Sequence, residues 1–493
     1  MKKLFLAILV LIAVFASGVT FEREEIISFF DTKISEVLEN FEVPGAVFSF
    51  VSNGEIVCVQ GYGYSDLESK TPMKPDSLVR IGSVSKLFTW ISIMQLYEQG
   101  MIDLKADVND YVSNFRIPDT FPEPITVENL LTHTPGFEEM HSGVIQFEGY
   151  VLQPLGEALM EIPERVFEPG KFSAYSNYGA ALAGYIAEEV SGTEFSDYVE
   201  QNIIEKLGMS STTVRQTLSP DLRERMSSGY YYSDGENESL TPFEIITVPP
   251  AGSMTSSAED MAKFTIANLQ MGEFEDVRIL SEETASLMQR VHFQHDPRLN
   301  GVCYGFYEMN KNGVRLIGHG GDTILFHSLL VFSPEDNWGF FVSFNSNGNG
   351  SARDALLNAF MDEFYPTDVT YEKREVSYIN RLKLTGDYIS NRRVFSDPVE
   401  SLLYWMNPDV SVELSTNGGL VLHGSDYNFI DDDLVISENK ENLVAFRTEG
   451  GRDYLFIDSA PIIAFEKVPW YLSQKLVGSV VFGLLAGLFL LLP

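Results

Sequence analysis

The spacing of hydrophobic positions changes along the first part of the chain. Apolar residues recur three and four positions apart between Glu24 and Phe41, which predicts an amphipathic helix. Two apolar runs follow, Ala46–Val51 and Ile56–Gln60, and Asn53-Gly54 stands between them. Because Asn-Gly between two such runs favours a tight hairpin turn, we predict two antiparallel strands here.

A second helical pattern begins at Ser83 and ends near Gln99. The chain from Lys105 to about Ile246 has the pattern of short helices and loops, and short strand-like runs return after it. These late runs are Leu316–Ile317, Ser328–Phe332 and Gly339–Phe344. We therefore predict an α+β fold for residues 21–365. Both ends of this region would build one antiparallel sheet flanked by helices, with the helical middle as an inserted domain.

The composition changes after Pro366, where a linker begins. Short alternating runs separated by glycine-rich turns predict a small all-β meander or barrel over residues 366–468. The runs are Val410–Leu414, Leu420–Leu422, Leu443–Arg447, Tyr454–Ile457 and Ile463–Lys467. Since this segment contains no catalytic constellation, we expect it to be separable from the chemistry and to serve packing or substrate gating.

Both ends of the chain are strongly apolar. Two lysines precede the apolar run Leu4–Ala16, a pattern that predicts an export signal over residues 1–18, with an uncleaved anchor as the alternative. The uncharged run Leu476–Leu492 predicts a membrane helix within residues 474–493, with a buried core helix as the alternative. We expect an exported protein that is held at the cell membrane by this helix, with its catalytic domain on the extracytoplasmic side.

The charge balance narrows the range of partners. Among 493 residues, 70 are Asp or Glu and 34 are Lys or Arg, and the resulting net charge of −36 repels nucleic acid. The two cysteines, Cys58 and Cys303, can form one bridge at most, and the histidines lack metal-site spacing. We expect no cofactor, no metal ion and no nucleic-acid partner, and the oligomeric state stays open.

Ser83 and Lys86 carry the main chemical signal. Ser83 opens the predicted helix, where unpaired backbone N–H groups and the helix dipole stabilise developing negative charge. Lys86 lies three residues further on, on the same helical face and within reach of the Ser83 hydroxyl. A serine is a poor nucleophile until a base takes its proton, and a lysine can do so when burial or nearby cations lower its pKa. Ser-x-x-Lys alone, however, occurs by chance in many proteins.

Two further motifs follow in order, Tyr175-Ser176-Asn177 in the helical middle and His319-Gly320-Gly321 on a late strand. Together with Ser83-x-x-Lys86 they resemble the penicillin-binding-protein and serine β-lactamase superfamily, and in particular class C β-lactamases and the related D,D-carboxypeptidases, D-aminopeptidases and esterases. Further matching segments lie between Val43 and Asn345; they are Gly61–Tyr64, Leu130–Gly136, Pro250–Met254 and Ser257–Met261. A chance match to all of these is improbable.

The resemblance implies a β-lactamase/transpeptidase-like fold and a role for each motif residue. Ser83 would attack the substrate carbonyl and become acylated, while Lys86 and Tyr175 together act as the general base, with the lysine ammonium lowering the tyrosine pKa. Asn177 would hydrogen-bond either the substrate amide or the Lys86 side chain. The backbone N–H groups of Ser83 and Asp322 would form the oxyanion hole.

His319 and Gly320 depart from the family pattern. The family has lysine and usually threonine at these positions, where they help to hold the substrate carboxylate. A neutral histidine carries no positive charge and therefore binds a carboxylate more weakly. The departure favours peptidase or esterase activity over β-lactam hydrolysis, although His319 could equally be a structural residue. Gly320 and Gly321 would leave a bare strand edge along which substrate backbone can bind.

These observations predict an exported, membrane-tethered serine hydrolase that acts on a peptide or small-molecule substrate. It would cleave amide or ester bonds, most simply those of peptides, D-amino-acid peptides included, or of small esters. One alternative is a β-lactamase or D,D-carboxypeptidase, and another is a sensor or binding protein that is acylated without turnover. A Ser-His-Asp hydrolase is disfavoured because the chain has no Gly-x-Ser-x-Gly sequence. The implied fold also separates Cys58 from Cys303, so we expect two free thiols.

Overall fold

The computed structural model describes residues 21–141, 143–239, 243–348 and 350–472. The export signal predicted for residues 1–18 and the membrane helix predicted for residues 474–493 lie outside the described residues. Within the part of the chain that is described, no helix is both long enough and apolar enough to cross a bilayer.

A seven-stranded antiparallel sheet forms the centre of the N-terminal region, residues 21–365. Its strands are β1 (Gly45–Ser52), β2 (Glu55–Asp66), β3 (Thr71–Pro72), β4 (Tyr307–Glu308), β5 (Ile317–Asp322), β6 (His327–Ser333) and β7 (Trp338–Phe344). Their order across the sheet is β4-β5-β6-β7-β1-β2-β3. The prediction that both ends of this region build one sheet is therefore confirmed.

The hairpin of β1 and β2 is also as predicted. Asn53 and Gly54 have φ angles of 52° and 79°, the left-handed conformations that a two-residue type I′ turn requires. Every residue of β1 is buried, because β1 is a central strand of a sheet with helices on both faces, and this explains why its residues are apolar on both faces apart from Ser49 and Ser52. Cys58 on β2 and Cys303, which precedes β4, are both buried free thiols.

Helices cover both faces of the sheet and complete three layers. The longer helices of the N-terminal region are α1 (Arg23–Asn40), α2 (Lys86–Glu98), α3 (Asn177–Ser191), α4 (Ala258–Leu269) and α5 (Ala352–Phe364). On one face, α1 and α5 enclose the rings of Phe30, Phe48 and Phe360. On the other face, Phe88 of α2 stacks on Phe264 of α4 with ring centroids 4.2 Å apart.

The helix α2 is enclosed by the fold. It is buried almost along its whole length, Lys86 included, and α3 of the inserted region packs against it. The rest of the insert consists of short helices and ribbons. The short helices are Val127–Leu131, Leu155–Ala158, Phe195–Val199, Pro220–Glu224 and Glu282–Gln289, and the paired ribbons are 145–147 with 244–246 and 230–233 with 236–239.

The segment after Pro366 forms a closed barrel of eight antiparallel strands. These are β8 (Gly386–Ser390), β9 (Val410–Leu414), β10 (Leu420–Leu422), β11 (Ser425–Phe429), β12 (Leu434–Ser437), β13 (Leu443–Glu449), β14 (Arg452–Ile457) and β15 (Phe465–Lys467), with helices α6 (Tyr378–Leu384) and α7 (Pro398–Met406) alongside. Since β8 pairs with both β9 and β15, the ring closes without a free edge. The sequence pattern did not predict β8, β11 and β12.

The barrel packs directly against the N-terminal region. The Phe172 and Tyr454 rings lie 4.7 Å apart, and the His295 ring stacks on Phe456 at the same centroid distance. The Asn391 side chain donates a 3.0 Å hydrogen bond to the Ser173 carbonyl oxygen. These contacts place the barrel beside the segment that carries Tyr175, in agreement with the expected packing role, while the separability of the barrel from the chemistry stays a prediction.

Candidate active site

Ser83 lies in a 3₁₀ turn, Gly82–Ser85, that leads into α2. Gly82 has a φ of 52°, and a β-carbon on it would lie 2.7 Å from the Asp322 backbone nitrogen, so only glycine lets β5 approach this closely. The Ser85 hydroxyl donates to the Gly82 carbonyl oxygen at 2.6 Å and accepts the Met254 N–H at 3.1 Å. These contacts hold Ser83 at the end of α2 where backbone N–H groups lack helical partners.

Lys86 is fully buried, and its Nζ lies close to three oxygen atoms. The distances are 3.1 Å to Ser83 Oγ, 2.8 Å to Asn177 Oδ1 and 2.5 Å to the Ala251 carbonyl oxygen. Burial lowers the pKa of Lys86 well below its ordinary value, and the nearby guanidinium of Arg392 lowers it further. The site therefore favours the neutral amine, the form that can accept a proton.

Tyr175 and Asn177 are held by the start of α3. The Ser176 hydroxyl accepts the Gly179 N–H at 3.0 Å and caps the helix, which places Asn177 in the first turn facing Lys86. His133 Nδ1 accepts the Ser176 N–H at 3.2 Å, and the Tyr175 N–H donates to the Ile462 carbonyl oxygen at 3.0 Å. The segment is thus fixed from the insert on one side and from the barrel on the other.

The Tyr175 ring lies between two cationic side chains. Its centroid is 4.7 Å from Lys86 Nζ and 4.8 Å from the guanidinium carbon of Arg392. Burial raises the pKa of Tyr175, although the Ser83 hydroxyl and Arg392 act in the opposite direction. No described residue meets the Tyr175 hydroxyl with hydrogen-bond geometry. Burial thus disfavours both charged forms, the tyrosinate and the lysine ammonium, on which the expected ionisation of Tyr175 depends.

The Asp322 N–H faces the Ser83 turn. In the β5–β6 ladder Asp322 is paired with His327, and the next residue, Thr323, donates its N–H to the Phe326 carbonyl oxygen. Since hydrogen-bonded and non-hydrogen-bonded pairs alternate along an antiparallel ladder, the Asp322 N–H points away from β6. The N–H groups of Ser83 and Asp322 are therefore placed to converge on one point. The Asp322 carboxylate is held elsewhere, by His327 at 2.7 Å and Arg353 at 2.9 Å.

His319 and the two glycines form the strand edge of the cleft. His319 is buried, its Nδ1 lies 2.5 Å from the Gly320 carbonyl oxygen, and its Nε2 has no hydrogen-bond partner among the described residues. Burial lowers the pKa of His319 to about 3, so the ring is neutral at pH 7. A side chain on Gly321 would meet the Ile81 carbonyl oxygen at 2.0 Å. The Gly320 N–H donates to the Tyr307 hydroxyl at 2.8 Å, a contact that the sequence did not indicate.

These groups line one cleft of about 390 Å³. The structure brings Ser83, Tyr175, Asn177, His319 and Gly320 to its walls, with Lys86 buried behind them and Gly321 beneath the strand edge. It also adds side chains that sequence reasoning missed; they are Glu139, Met140, Tyr307, Arg353, Arg392 and Ile462. The last two come from the barrel domain. Among the described residues, no group of three or more His, Cys, Asp or Glu side chains is placed to hold a metal ion.

Arg392 and Glu139 form an ion pair across the mouth of this cleft. Arg392 Nε donates to Glu139 Oε2 at 2.6 Å, and the Glu139 N–H donates to the Arg393 carbonyl oxygen at 3.1 Å. The pair joins the barrel to the insert beside Tyr175. No motif marks either residue in the sequence, because their proximity depends on how the barrel docks.

The chain was compared with proteins of known family and structure. A family model described as Beta-lactamase matches residues 30–360. Protein flp of Staphylococcus aureus (strain N315) is 26% identical over 325 residues, which are 64% of this chain and 62% of that protein. Penicillin-binding protein 4* of Bacillus subtilis (strain 168) is 26% identical over 313 residues, 59% of this chain and 66% of that protein. The chain thus spans a little under two thirds of the length of these relatives.

A solved structure extends the similarity into the barrel. The octameric penicillin-binding protein homologue from Pyrococcus abyssi superposes with a TM-score of 0.59 and 22% identity over 90% of this chain and all of that chain. At that identity the likeness shows the fold alone. The family model, by contrast, covers most of the chain together with the Ser83, Tyr175 and His319 motifs. The chain belongs to the β-lactamase family and has a β-lactamase/transpeptidase fold followed by a C-terminal eight-stranded barrel.

Proposed function

We propose that the protein forms an acyl-enzyme at Ser83 and cleaves amide or ester bonds of peptides, D-amino-acid peptides included, or of small esters. The observation that carries this proposal is the hydrogen bond between Ser83 Oγ and the buried Lys86 Nζ, at 3.1 Å. A base within hydrogen-bond distance of a hydroxyl is what nucleophilic catalysis by serine requires.

The direction of the proton follows from the partners of Lys86. A neutral amine has two N–H donors and one lone pair. Asn177 Oδ1 and the Ala251 carbonyl oxygen can only accept, so they take the two N–H groups. The lone pair is then left for Ser83, whose hydroxyl donates to Nζ. Asn177 therefore orients Lys86 as the base, in addition to any contact with substrate.

The remaining steps use the other groups of the cleft. Ser83 Oγ attacks the substrate carbonyl carbon as its proton passes to Lys86, and the oxyanion forms at the Ser83 and Asp322 N–H groups. When the C–N or C–O bond breaks, Tyr175 donates its proton to the leaving group and regains one from Lys86. A water molecule then attacks the acyl carbon while Lys86 and Tyr175, acting as one base, take one proton from it. The bond between the acyl carbon and Ser83 Oγ breaks, and the same proton is returned to Ser83 Oγ.

Two alternatives remain within the same site. β-Lactamase or D,D-carboxypeptidase activity is supported by the family membership. Against it, this chain has a neutral histidine, His319, in place of a cationic lysine, and a neutral ring binds a substrate carboxylate weakly. A sensor that is acylated without turnover would keep the same Ser83–Lys86 contact. The time course of product formation separates a sensor from an enzyme. A sensor releases one leaving group per protein molecule in an initial burst and then forms no further product.

We also propose that the protein is exported and held at a membrane. The support is the apolar sequence of residues 4–16 and 476–492, together with exposed apolar side chains of the C-terminal region. Large exposed side chains of this kind are Tyr378, Ile379 and Leu382 of α6, Val399 and Leu403 of α7, and Trp470 and Tyr471. Leu382, Trp405 and Trp470 line one shared groove. Aromatic and aliphatic side chains in this arrangement suit a bilayer surface.

The experiment for the hydrolase proposal uses the intact protein with a panel of D-amino peptides, short acyl esters and a chromogenic cephalosporin. Steady hydrolysis of a peptide or ester that is lost in Ser83→Ala supports the proposal. Faster turnover of the cephalosporin than of every peptide and ester would favour the β-lactamase alternative. A single burst with no later turnover on every substrate would favour the sensor.

A further inference from the structure

The barrel places one arginine in the cleft on a firmly anchored loop. Arg392 directly follows Asn391, whose side chain donates to the Ser173 carbonyl oxygen at 3.0 Å and accepts the Ala464 N–H at 3.0 Å. The Arg392 N–H itself donates to the Ser390 hydroxyl at 2.9 Å. Because Ser173 lies in the N-terminal region and Ala464 in the barrel, the loop is tied to both, and the position of Arg392 relative to Tyr175 is fixed.

The guanidinium of Arg392 has donors that the protein does not use. Its Nε donates to Glu139, but neither terminal nitrogen hydrogen-bonds any described residue. The side chain is 36% exposed and lines the cleft, with its guanidinium carbon 4.8 Å from the Tyr175 ring centroid. An arginine carries five N–H donors in a planar fork that matches a carboxylate. The four N–H donors on the terminal nitrogens are thus left for a ligand.

The other charged groups of the cleft are already engaged. Arg353 binds both Asp322 oxygens, Lys86 is enclosed by its three oxygen partners, and His319 is neutral. Glu139 accepts from Arg392 at one oxygen and from the Met140 N–H at the other, at 3.1 Å. Among the described residues that line the cleft, Arg392 is consequently the cation whose two terminal nitrogens are both left for a substrate, whereas both terminal nitrogens of Arg353 are engaged.

We propose that Arg392 of the barrel binds a free carboxylate of the substrate and so sets the substrate class of this site. The same Tyr175 ring lies against Lys86 on one side and Arg392 on the other, at 4.7 and 4.8 Å. The two cationic groups are then no more than about 10 Å apart, the span of about three extended residues. The substrate is a short acyl compound with a carboxylate within three residues of the scissile bond. This inference rests on the proposed acyl-enzyme chemistry at Ser83.

The carboxylate can come from either side of the scissile bond, and two matched substrate pairs separate the cases. N-acetyl-D-alanyl-D-alanine and its C-terminal amide differ by a carboxylate on the leaving group. Succinyl-D-alanine p-nitroanilide and its propionyl analogue differ by a carboxylate on the acyl group. The intact protein should show a ten- to hundredfold higher kcat/KM for the acid member of one pair, as expected for loss of a charge-assisted bidentate contact.

Variants of the ion pair test the assignment to Arg392. Arg392→Gln should reduce the preference for the acid to less than about threefold, mainly through KM, and Arg392→Lys should keep an intermediate preference. Glu139→Gln should increase the preference, because it removes the competing carboxylate and frees a further N–H. Arg452→Gln, which removes an exposed barrel arginine outside the cleft, should leave the preference unchanged.

The outcomes distinguish this inference from the proposed function. A wild-type protein that a neutral fluorophosphonate does not label at Ser83 contradicts the proposed function. A labelled protein with equal kcat/KM for acid and neutral members of both pairs overturns the carboxylate site alone. An acid preference that survives in Arg392→Gln also overturns it. If thermal unfolding shows that Arg392→Gln is not folded, the other two variants test the carboxylate site. The preference for the acid should decrease in Arg392→Lys and increase in Glu139→Gln, and any other result overturns the inference.

Discussion

The Tyr175 N–H donates a 3.0 Å hydrogen bond to the Ile462 carbonyl oxygen, which joins the motif tyrosine of the N-terminal region to the barrel. This contact lies next to the Asn391–Ser173 hydrogen bond and the Arg392–Glu139 ion pair. The barrel is therefore part of the wall that positions Tyr175, and its docking bears on the reaction as well as on stability.

Asn391→Ala should slow acylation while leaving the fold intact. Asn391 is buried, and its side chain bridges Ser173 and Ala464. Removing it leaves both backbone groups without these partners, which costs about 1–3 kcal/mol of unfolding free energy for each buried group. We expect a lower melting temperature and a lower kcat/KM. Asn407→Ala, on the exposed end of α7, should change neither. Unchanged acylation in a destabilised Asn391→Ala protein would mean that the bridge serves stability alone.

Lys86 and Tyr175 should behave as one unit. Both handle the same proton, so Lys86→Met or Tyr175→Phe alone should lower kcat by on the order of 10²–10⁴, and the double variant should lose little more. Single-turnover measurements of acylation give the three rates. Lys33→Met, a change at an exposed lysine of α1, is the matched control and should be fully active. Losses that multiply in the double variant would show that the two side chains act independently.

The pH dependence of acylation should shift in opposite directions in two variants. Acylation requires neutral Lys86, so the rate falls as the pH drops through the Lys86 pKa. Arg392 lowers that pKa and Glu139 raises it. Arg392→Gln should therefore move the acidic limb of the kcat/KM profile to higher pH, and Glu139→Gln should move it to lower pH. The profile of a neutral ester substrate gives the readout, and shifts in the same direction would contradict this assignment of Lys86.

The full chain should pellet with membranes and resist a carbonate wash. A version that ends at Pro469 lacks the apolar run 476–492 together with Trp470 and Tyr471, and it should remain in the soluble fraction. Immunoblotting after fractionation measures the distribution of both versions. Release of the full chain by carbonate would contradict anchoring by this run.

The sequence indicated those parts of the site that local structure determines. Ser83 and Lys86 are one helical turn apart, so their proximity follows from helix geometry alone. In the same way the Asn53-Gly54 turn determines the pairing next to it, Ser52 with Glu55 and Val51 with Ile56, whereas a register shift between Val51 and Phe50 changes the pairing beyond that point. The strands of the sheet were recognisable because buried strands give continuous apolar runs.

The rest of the site depends on long-range packing that no local pattern contains. Arg392 and Glu139 are 253 positions apart in sequence and meet only because the barrel docks on the insert. The lowered pKa of Lys86 likewise depends on burial between α2, α3 and the Ala251 carbonyl, which its helical spacing alone does not reveal. β8 and β11 were missed for the same reason. Each contains few apolar residues, and each is a strand because it pairs with neighbouring strands of the barrel.

The central claim is that Ser83 is the nucleophile, activated by Lys86. Its most direct test is intact-protein and peptide mass spectrometry after reaction with a fluorophosphonate probe. The account predicts one added label per chain, located on the peptide that contains Ser83, and no label in Ser83→Ala. The nearby Ser85→Ala variant should still be labelled, because the Ser85 hydroxyl donates to the Gly82 carbonyl oxygen and faces away from the cleft. A label that persists in Ser83→Ala, or that maps to another serine, would contradict the account.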